Sequence, residues 1–400
     1  MSSVKSYLVE LRLLLSGNVG VMAISWFLFA LSSAIVMPFF SVYAKSLGAS
    51  DIEISIMRSL GLVALAVFLP IGGLLTDIWG RVKPIIIGTF MVATIQFFYA
   101  LAPDWRYLTV IWVVDNASHF YQPALTAILM DSMPRDKTMK GFMVLNAFSS
   151  LPWLFMPVVG GALFDMYGVS GIRWGFVLSG VIALVVSILR IKALKETFSP
   201  RDKDFSGVIV ELAGYRPVLN KAIKYYVYTA FFNQLTLAVV NTFGAIYAIN
   251  RLGMSAVDWG VATTLGTASS ILTSLFLSAR ISVHSRKLTV AASSLIALGQ
   301  LFLALPYINR GLIALVYVGV VVSNAGGLVV GSAISSILTH VLPIELRGRA
   351  TGIQRTLETL GGAFASYVAG LMYTVLNPFN SLVTSFVIGI ASTAYLAYIL

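Results

Sequence analysis

Twelve apolar runs, each long enough to cross a lipid bilayer, follow one another along this 400-residue chain. A bilayer core about 30 Å thick needs roughly 20 consecutive apolar residues in a helix. Only 11% of the residues are charged, whereas a soluble domain carries about 25%. The sequence therefore predicts an all-α membrane protein with twelve transmembrane helices. These spans, numbered 1 to 12, lie approximately at 19–44, 53–76, 84–102, 107–130, 141–164, 172–190, 222–248, 257–279, 288–306, 311–338, 350–375 and 380–400.

The basic residues are distributed unevenly over the loops. Of the 27 Lys and Arg residues, 20 fall at the N-terminus or on even-numbered loops, and five fall on odd-numbered loops. The positive-inside rule then predicts that the even-numbered loops and both termini are cytoplasmic, in the cell membrane. The net charge of +11 follows this topology, so we expect a lipid bilayer and no nucleic acid as the partner.

The two halves of the chain are weakly similar to each other. At an offset of 205 residues Gly48 matches Gly253 and Gly61 matches Gly266, and at an offset of 209 Asp115 falls on Asn324. Internal similarity of this kind predicts two pseudo-symmetric six-helix bundles, at 1–191 and 222–400. Between them, 192–221 is predicted to be a cytoplasmic linker with a short amphipathic helix, because Phe205, Val208, Ile209 and Leu212 repeat at helical spacing.

A short turn with charged residues and glycines joins spans 2 and 3. The stretch reads Gly73-Leu-Leu-Thr-Asp77-Ile-Trp-Gly80-Arg81-Val-Lys83. Gly73 is expected to let a neighbouring helix approach closely and Gly80 to allow a tight reversal. Asp77 and Arg81 are placed to pair at the membrane interface.

This pattern, together with the internal repeat, resembles the major facilitator superfamily, and its twelve-helix drug:proton antiporter branch in particular. The resemblance implies a substrate cavity between the two halves, lined by spans 1, 4, 7 and 10. It also implies that Asp77, Arg81 and Asp131 form a charge relay at the cytoplasmic gate. In span 5, Pro157, Gly160 and Gly161 resemble the end of an antiporter motif, although Met156 replaces the glycine before the proline.

Ionisable side chains at membrane depth have an unfavourable insertion free energy, so each one is a candidate for a functional role. Asp115, His119, Gln122 and Thr126 follow at i, i+4, i+7 and i+11, which places them on one helical face. A carboxyl group removed from water has its charged form disfavoured, so Asp115, with His119 beside it, is the first candidate for proton coupling.

A second candidate for proton coupling lies in span 11. Glu358 follows Arg355 by three residues, a spacing at which opposite charges can pair locally. For both acids the alternative is a purely structural role in packing.

Neutral polar and aromatic residues complete the predicted substrate cavity. Each of them could instead serve helix packing. The candidates are Phe29, Ser32, Gln122, Asn146, Trp153, Tyr226, Asn233, Thr236, Asn324 and Gln354.

The sequence contains no P-loop, nucleophile elbow or dinucleotide fingerprint. It also lacks cysteine, which excludes disulfides and Cys-based metal sites. We therefore expect no enzyme, no cofactor and no metal site, but a monomeric secondary transporter of a small-molecule substrate that works by alternating access. Proton-coupled efflux of an amphipathic or cationic compound is favoured. An uptake permease or uniporter for a neutral solute, and a non-transporting receptor or scaffold, remain alternatives.

Overall fold

The computed structural model describes residues 16–134, 138–198, 216–280, 285–341 and 347–400. These residues form twelve consecutive helical segments, which confirms the predicted all-α class with twelve helices. The predicted amphipathic helix around Phe205 lies outside the described residues. In chain order the segments are α1 (Gly17–Ser46), α2 (Asp51–Trp79), α3 (Val82–Ala100), α4 (Trp105–Ser118 and Gln122–Asp131), α5 (Thr138–Ser150 and Met156–Tyr167), α6 (Val169–Ala193), α7 (Arg216–Val227 and Asn233–Ile246, extended to Arg251), α8 (Ala256–Arg280), α9 (Arg286–Ala304), α10 (Ala314–Val341), α11 (Arg347–Val375) and α12 (Asn377–Ile399).

Among the described residues, nine segments are long and apolar enough to cross a membrane, and α4, α8 and α11 are the three that fall outside this group. Segment α4 is divided into pieces of 14 and 10 residues by a 3₁₀ turn at His119–Tyr121. Pro123 follows this turn, and proline has no backbone N–H to continue the α-helical hydrogen bonding. Segment α7 begins at Arg216, within the stretch 192–221 that was predicted to be a linker.

The internal repeat is visible in matching hydrogen bonds. The hydroxyl of Tyr43 donates to the carbonyl of Tyr99 at 2.7 Å, and the hydroxyl of Tyr247 donates to the carbonyl of Leu303 at 2.7 Å. Both pairs span 56 residues, so the same contact recurs in each half.

The structure corrects the predicted match between Asp115 and Asn324. A Cβ added at Gly61 would lie 2.8 Å from Nδ2 of Asn116, and one added at Gly266 would lie 2.8 Å from Nδ2 of Asn324. Both asparagines also donate to the carbonyl four residues earlier, at 2.8 and 2.9 Å. Asn324 is therefore the mate of Asn116, and the sequence match was wrong by one position.

The two halves are packed together at the side where α1 joins α2, which we call the odd-loop side. One hydrophobic cluster there contains residues from both halves, such as Tyr43 and Phe243. The carboxylate of Asp165 in α5 accepts hydrogen bonds from the first two backbone N–H groups of α8, at 2.8 and 2.9 Å. The hydroxyl of Ser59 in α2 donates to the carbonyl of Ala363 in α11 at 2.6 Å.

The halves are separate at the opposite end, which we call the even-loop side. Among the described residues, the hydrophobic cluster around Phe120 and Leu129 belongs wholly to the first half. The cluster around Tyr226 and Leu338 belongs wholly to the second half. As far as the described residues extend, the two halves are therefore joined at the odd-loop side and separate at the even-loop side.

Candidate functional site

A cavity of about 360 Å³ lies among α1, α3, α4 and α6. Its wall combines aromatic, small polar and charged side chains, all from the first half of the chain. Such a volume falls near the lower end of pockets that hold small molecules. The lining residues are Trp26, Phe29, Ser32, Ser33, Met37, Val92, Gln96, Asp115, His119, Tyr121, Gln122, Leu125, Thr126, Ala183 and Arg190.

Asp115 is the acid of this cavity and is only 5% exposed. Its Oδ2 accepts a hydrogen bond of 3.0 Å from the buried hydroxyl of Tyr99. Its Oδ1 is buried and has no hydrogen-bond partner among the described residues. His119 Nδ1 lies 4.0 Å from that oxygen and 2.8 Å from the carbonyl oxygen of Asp115. The imidazole therefore bonds to the backbone rather than to the carboxylate.

Arg190 is the base of this cavity, and sequence reasoning did not select it. Its side chain in α6 is fully buried. One terminal nitrogen donates to the hydroxyl of Thr89 at 2.6 Å, and the guanidinium lies 5.2 Å from the ring centre of Phe29 and 6.0 Å from that of Tyr121. With Lys192 and Lys195 nearby, Arg190 resembles part of a cytoplasmic run of basic residues, so the sequence alone does not single it out.

The predicted polar face of α4 reaches this cavity in full, in spite of the 3₁₀ turn. Asp115, His119, Gln122 and Thr126 all line it, and Phe29 and Ser32 face them from α1.

The other predicted cavity residues do not line this pocket. Tyr226 and Thr236 are buried within the second bundle, where Thr236 donates to the carbonyl of Phe232 at 2.8 Å. Asn324 bonds to its own helix. The remaining residues lie outside the pocket as well: Asn146, Trp153, Asn233 and Gln354.

Glu358 in α11 pairs with a neutral neighbour. Nε2 of Gln354 donates to Glu358 Oε1 at 2.8 Å. The ion pairs found within the described part of the chain do not include one between Glu358 and Arg355. The expected local pair is therefore replaced by a hydrogen bond one turn along the helix.

A charged cluster lies at the even-loop end of the first half. Arg81 contacts Asp77 Oδ1 at 3.2 Å and Asp131 Oδ2 at 3.3 Å. It also donates to the carbonyl of Thr76 at 3.1 Å. Lys83, the other base of the motif, lies 5.0 Å from the ring centre of Trp79. The structure thus brings together the three relay residues, which come from α2, the turn after it and α4.

The segment that follows α6 packs against this cluster, and sequence reasoning did not find it. The carboxylate of Glu196 accepts from the backbone N–H groups of Arg81 and Val82 at 3.0 and 2.9 Å, at the start of α3. Thr197 donates to Asp131 Oδ2 at 3.0 Å, and Phe198 lies under the Arg81 guanidinium at 4.1 Å. Partial burial alone would raise the pKa of Glu196, but backbone hydrogen bonds outweigh it, so the pKa of this carboxyl is lowered.

Two glycines of the turn motif behave differently. Gly80 has a φ of +85° and ends α2, as the predicted reversal requires. The prediction that Gly73 permits a close helix approach was wrong, because a Cβ there would meet nothing within 4 Å. A Cβ at Gly72 would instead overlap the backbone carbonyl of Phe120 in α4. One residue is about 100° of helix rotation, which moves the close contact from one glycine to the other.

The span-5 motif lies at contacts with α1 and α8. A Cβ at Gly160 would overlap the carbonyl oxygen of Ile35, and one at Gly161 would lie 2.5 Å from that of Ala256. A Cβ at Gly260 in α8 would meet the carbonyl of Pro157. The motif thus allows the backbones of the two halves to approach at the odd-loop side.

Comparison with known proteins supplies the family and the fold. The model of the Major Facilitator Superfamily matches residues 22–366. The quinolone resistance protein NorA of Staphylococcus aureus (strain MSSA476) is 21% identical over 350 residues, which is 87% of this chain and 88% of that protein. The multi-drug resistance efflux pump PmrA of Streptococcus pneumoniae is 28% identical over 189 residues, 45% of this chain and 46% of the pump. The crystal structure of a POT family transporter in complex with 5-aminolevulinic acid superposes with a TM-score of 0.76 at 13% identity, covering 94% of both chains.

Proposed function

This chain belongs to the Major Facilitator Superfamily and is a multi-pass membrane transporter rather than an enzyme, and we propose that it exports amphipathic solutes in exchange for protons. On this proposal it works as a monomer in the cell membrane by alternating access. Both termini and the even-loop side face the cytoplasm, in agreement with the distribution of its bases.

The buried carboxyl of Asp115 is the observation that carries this proposal. It lies in a cavity inside the membrane region, where its Oδ1 has no hydrogen-bond partner among the described residues and the imidazole of His119 stands 4.0 Å away. A buried charge without a partner is expensive, and binding a proton or a cation removes the cost. Two ligands that relieve the same charge compete for it, and that competition is the requirement for antiport.

The arrangement of the two halves supports access from the cytoplasm. The odd-loop side is sealed by the α5–α8 and α2–α11 contacts, whereas the even-loop ends form separate clusters. With the even-loop side assigned to the cytoplasm, the molecule is in an inward-open state, ready to receive a solute from inside the cell.

The proposed cycle exchanges one proton for one solute. In the inward-open state the arriving solute favours the charged carboxylate of Asp115, and the proton leaves to the cytoplasm. The loaded protein opens to the odd-loop side, the solute leaves, and a proton from outside takes its place on the carboxylate. The neutral site then returns inward. One proton enters for each solute exported through this site.

The gate motif is proposed to act on the exchange between states and not on binding. Arg81 connects the end of α2 with the end of α4. These ends must meet the second bundle when the even-loop side closes.

Glu358 is proposed to rank after Asp115 in proton coupling, because its carboxylate already accepts a hydrogen bond from Gln354.

The names of the relatives suggest the probes. NorA is named for quinolone resistance and PmrA for multi-drug efflux. The test is transport in proteoliposomes containing the full chain, with a quinolone and with a lipophilic cationic dye, with and without an imposed pH gradient. We expect solute movement against its gradient only when the pH gradient is present. Equal movement without the gradient would support a uniporter, and no movement of either probe would contradict the proposal.

A further inference from the structure

The cavity contains a second buried charge, of the opposite sign to Asp115. The Arg190 side chain is fully buried and its Nε has no hydrogen-bond partner among the described residues. Its contacts include the hydroxyl of Thr89, the side chain of Tyr121 and the ring of Phe29. None of the ion pairs in the described part of the chain includes it. A guanidinium in such surroundings is short of an anionic partner.

The fold itself does not require a charge at this place. In the second half, where α7 and α12 are the counterparts of α1 and α6, the ring of Tyr395 stacks on Phe232 at 4.8 Å. A neutral aromatic pair is thus sufficient to pack two such helices. Packing alone therefore does not explain the arginine on Phe29 in the first half.

Arg190 and Asp115 line the same cavity from different helices without pairing with each other. Each has a buried polar atom without a partner, Nε on the base and Oδ1 on the acid. The aromatic side chains of Phe29 and Tyr121 line the same cavity, and they suit the apolar body of a ligand.

We propose that this cavity binds an amphoteric solute, with Arg190 recognising a carboxylate on the solute and Asp115 recognising its amine. This inference rests on the proposed transport function and narrows its substrate class from amphipathic solutes in general to zwitterionic ones. A guanidinium binds a carboxylate through two parallel hydrogen bonds, which an ammonium does not reproduce. Binding of both groups at once satisfies both buried charges and leaves the net charge of the site unchanged.

The test compares a matched pair of ligands on purified full-length protein. The probes are a piperazinyl quinolone, which carries a carboxylate and an amine, and its methyl ester, which carries the amine only. Charge-assisted hydrogen bonds contribute enough to predict that the wild type binds the acid about 10- to 100-fold more tightly than the ester. Arg190→Met should abolish this ratio by weakening the binding of the acid. Arg190→Lys, which keeps the charge and loses the fork geometry, should give an intermediate ratio.

Lys192→Met is the matched control, since it removes one exposed base two residues further along α6. It should leave the ratio unchanged. Monodisperse elution of each variant verifies folding, and Arg190→Lys carries the test if Arg190→Met does not fold. Equal affinity of the wild type for the two ligands, no binding of the acid, or an unchanged ratio in the folded Arg190 variants would overturn the inference.

The binding measurements on purified protein do not depend on whether the protein transports the ligand. Movement of the quinolone or of the cationic dye in proteoliposomes under a pH gradient reports on transport alone. Movement of neither probe would contradict the transport proposal, whereas the ratio of acid to ester binding decides whether Arg190 recognises a carboxylate.

Discussion

The hydroxyl of Tyr99 donates a 3.0 Å hydrogen bond to Oδ2 of Asp115, and this bond joins α3 to α4 at the wall of the cavity. It is the only hydrogen bond that the side chain of Asp115 makes among the described residues. The second half has Leu303 where Tyr99 stands, as the shared bonds from Tyr43 and Tyr247 show. The tyrosine–aspartate pair is therefore a feature of the first half alone.

Tyr99→Phe removes this bond and leaves the carboxyl without a donor. We expect the free energy of unfolding to fall by about 1–3 kcal/mol, the cost of an unsatisfied buried group. In an Asp115→Asn background the same substitution should cost a different amount, because the two residues interact directly. Thermal unfolding of the two single variants and the double variant measures this coupling. Tyr247→Phe, which loses only a bond to a carbonyl, serves as control, and strictly additive losses at Tyr99 and Asp115 would contradict the direct interaction.

Arg81→Ala removes two partly exposed ion pairs of the gate cluster. Both pairs are formed in the inward-open structure and each contributes about 0.2–1 kcal/mol, so we expect a several-fold shift away from the inward-open state, slower transport and an intact fold. The chain has no cysteine, so a single cysteine at Thr126 reports cavity access through labelling from the even-loop side. Labelling should decrease in Arg81→Ala and stay unchanged in Lys83→Ala, whose base lies 5.0 Å from the ring centre of Trp79. Unchanged labelling and flux in Arg81→Ala would remove the relay from the mechanism.

Glu196→Gln tests the attachment of the segment after α6. The carboxylate of Glu196 caps the N-terminal end of α3, where a negative charge contributes about 0.3–1 kcal/mol. Because its pKa is lowered from an ordinary value of 4.5, its contribution is fully present above that value and is lost as the pH falls through the lowered pKa. The difference in unfolding free energy between wild type and Glu196→Gln should therefore be constant above about pH 5 and decrease in acid. A difference that grows on acidification would contradict the cap.

Gly161→Ala tests the seal at the odd-loop side. The new Cβ would lie 2.5 Å from the carbonyl oxygen of Ala256, so α5 and α8 must separate. We expect the inward-open state to lose stability and labelling of a cysteine at Ser33 from the odd-loop side to increase. Gly73→Ala is the matched control, because its Cβ meets nothing within 4 Å. Equal labelling of the two variants would show that this contact does not hold the seal.

The lengths of the apolar runs were enough to predict twelve helices, because bilayer thickness sets the number of residues that a span needs. The polar face of α4 was also predictable, since the 3₁₀ turn before Gln122 does not move it away from the cavity. Contacts between helices were harder to predict. Gly72 rather than Gly73 meets α4 because the rotation of a helix about its axis is set by packing.

Arg190 shows a second limit of the sequence. A base near the end of an apolar run is ordinarily solvated at the interface, and only the path of α6 beside Phe29 shows that this base is buried. The match of Asn324 to Asp115 failed for a related reason. Pseudo-symmetry does not require a constant residue offset between the halves, and the offset changes from 205 at Gly61 in α2 to 208 at Asn116 in α4.

Asp115→Asn tests the central claim most directly, because it keeps the shape of the side chain and removes its titration. The measurement is solute transport in proteoliposomes, recorded once as exchange without a pH gradient and once as accumulation driven by a pH gradient. We predict that Asp115→Asn retains exchange and loses pH-driven accumulation, whereas Glu358→Gln, whose carboxyl is satisfied by Gln354, retains both. Full pH-driven accumulation by Asp115→Asn would contradict proton coupling through this residue.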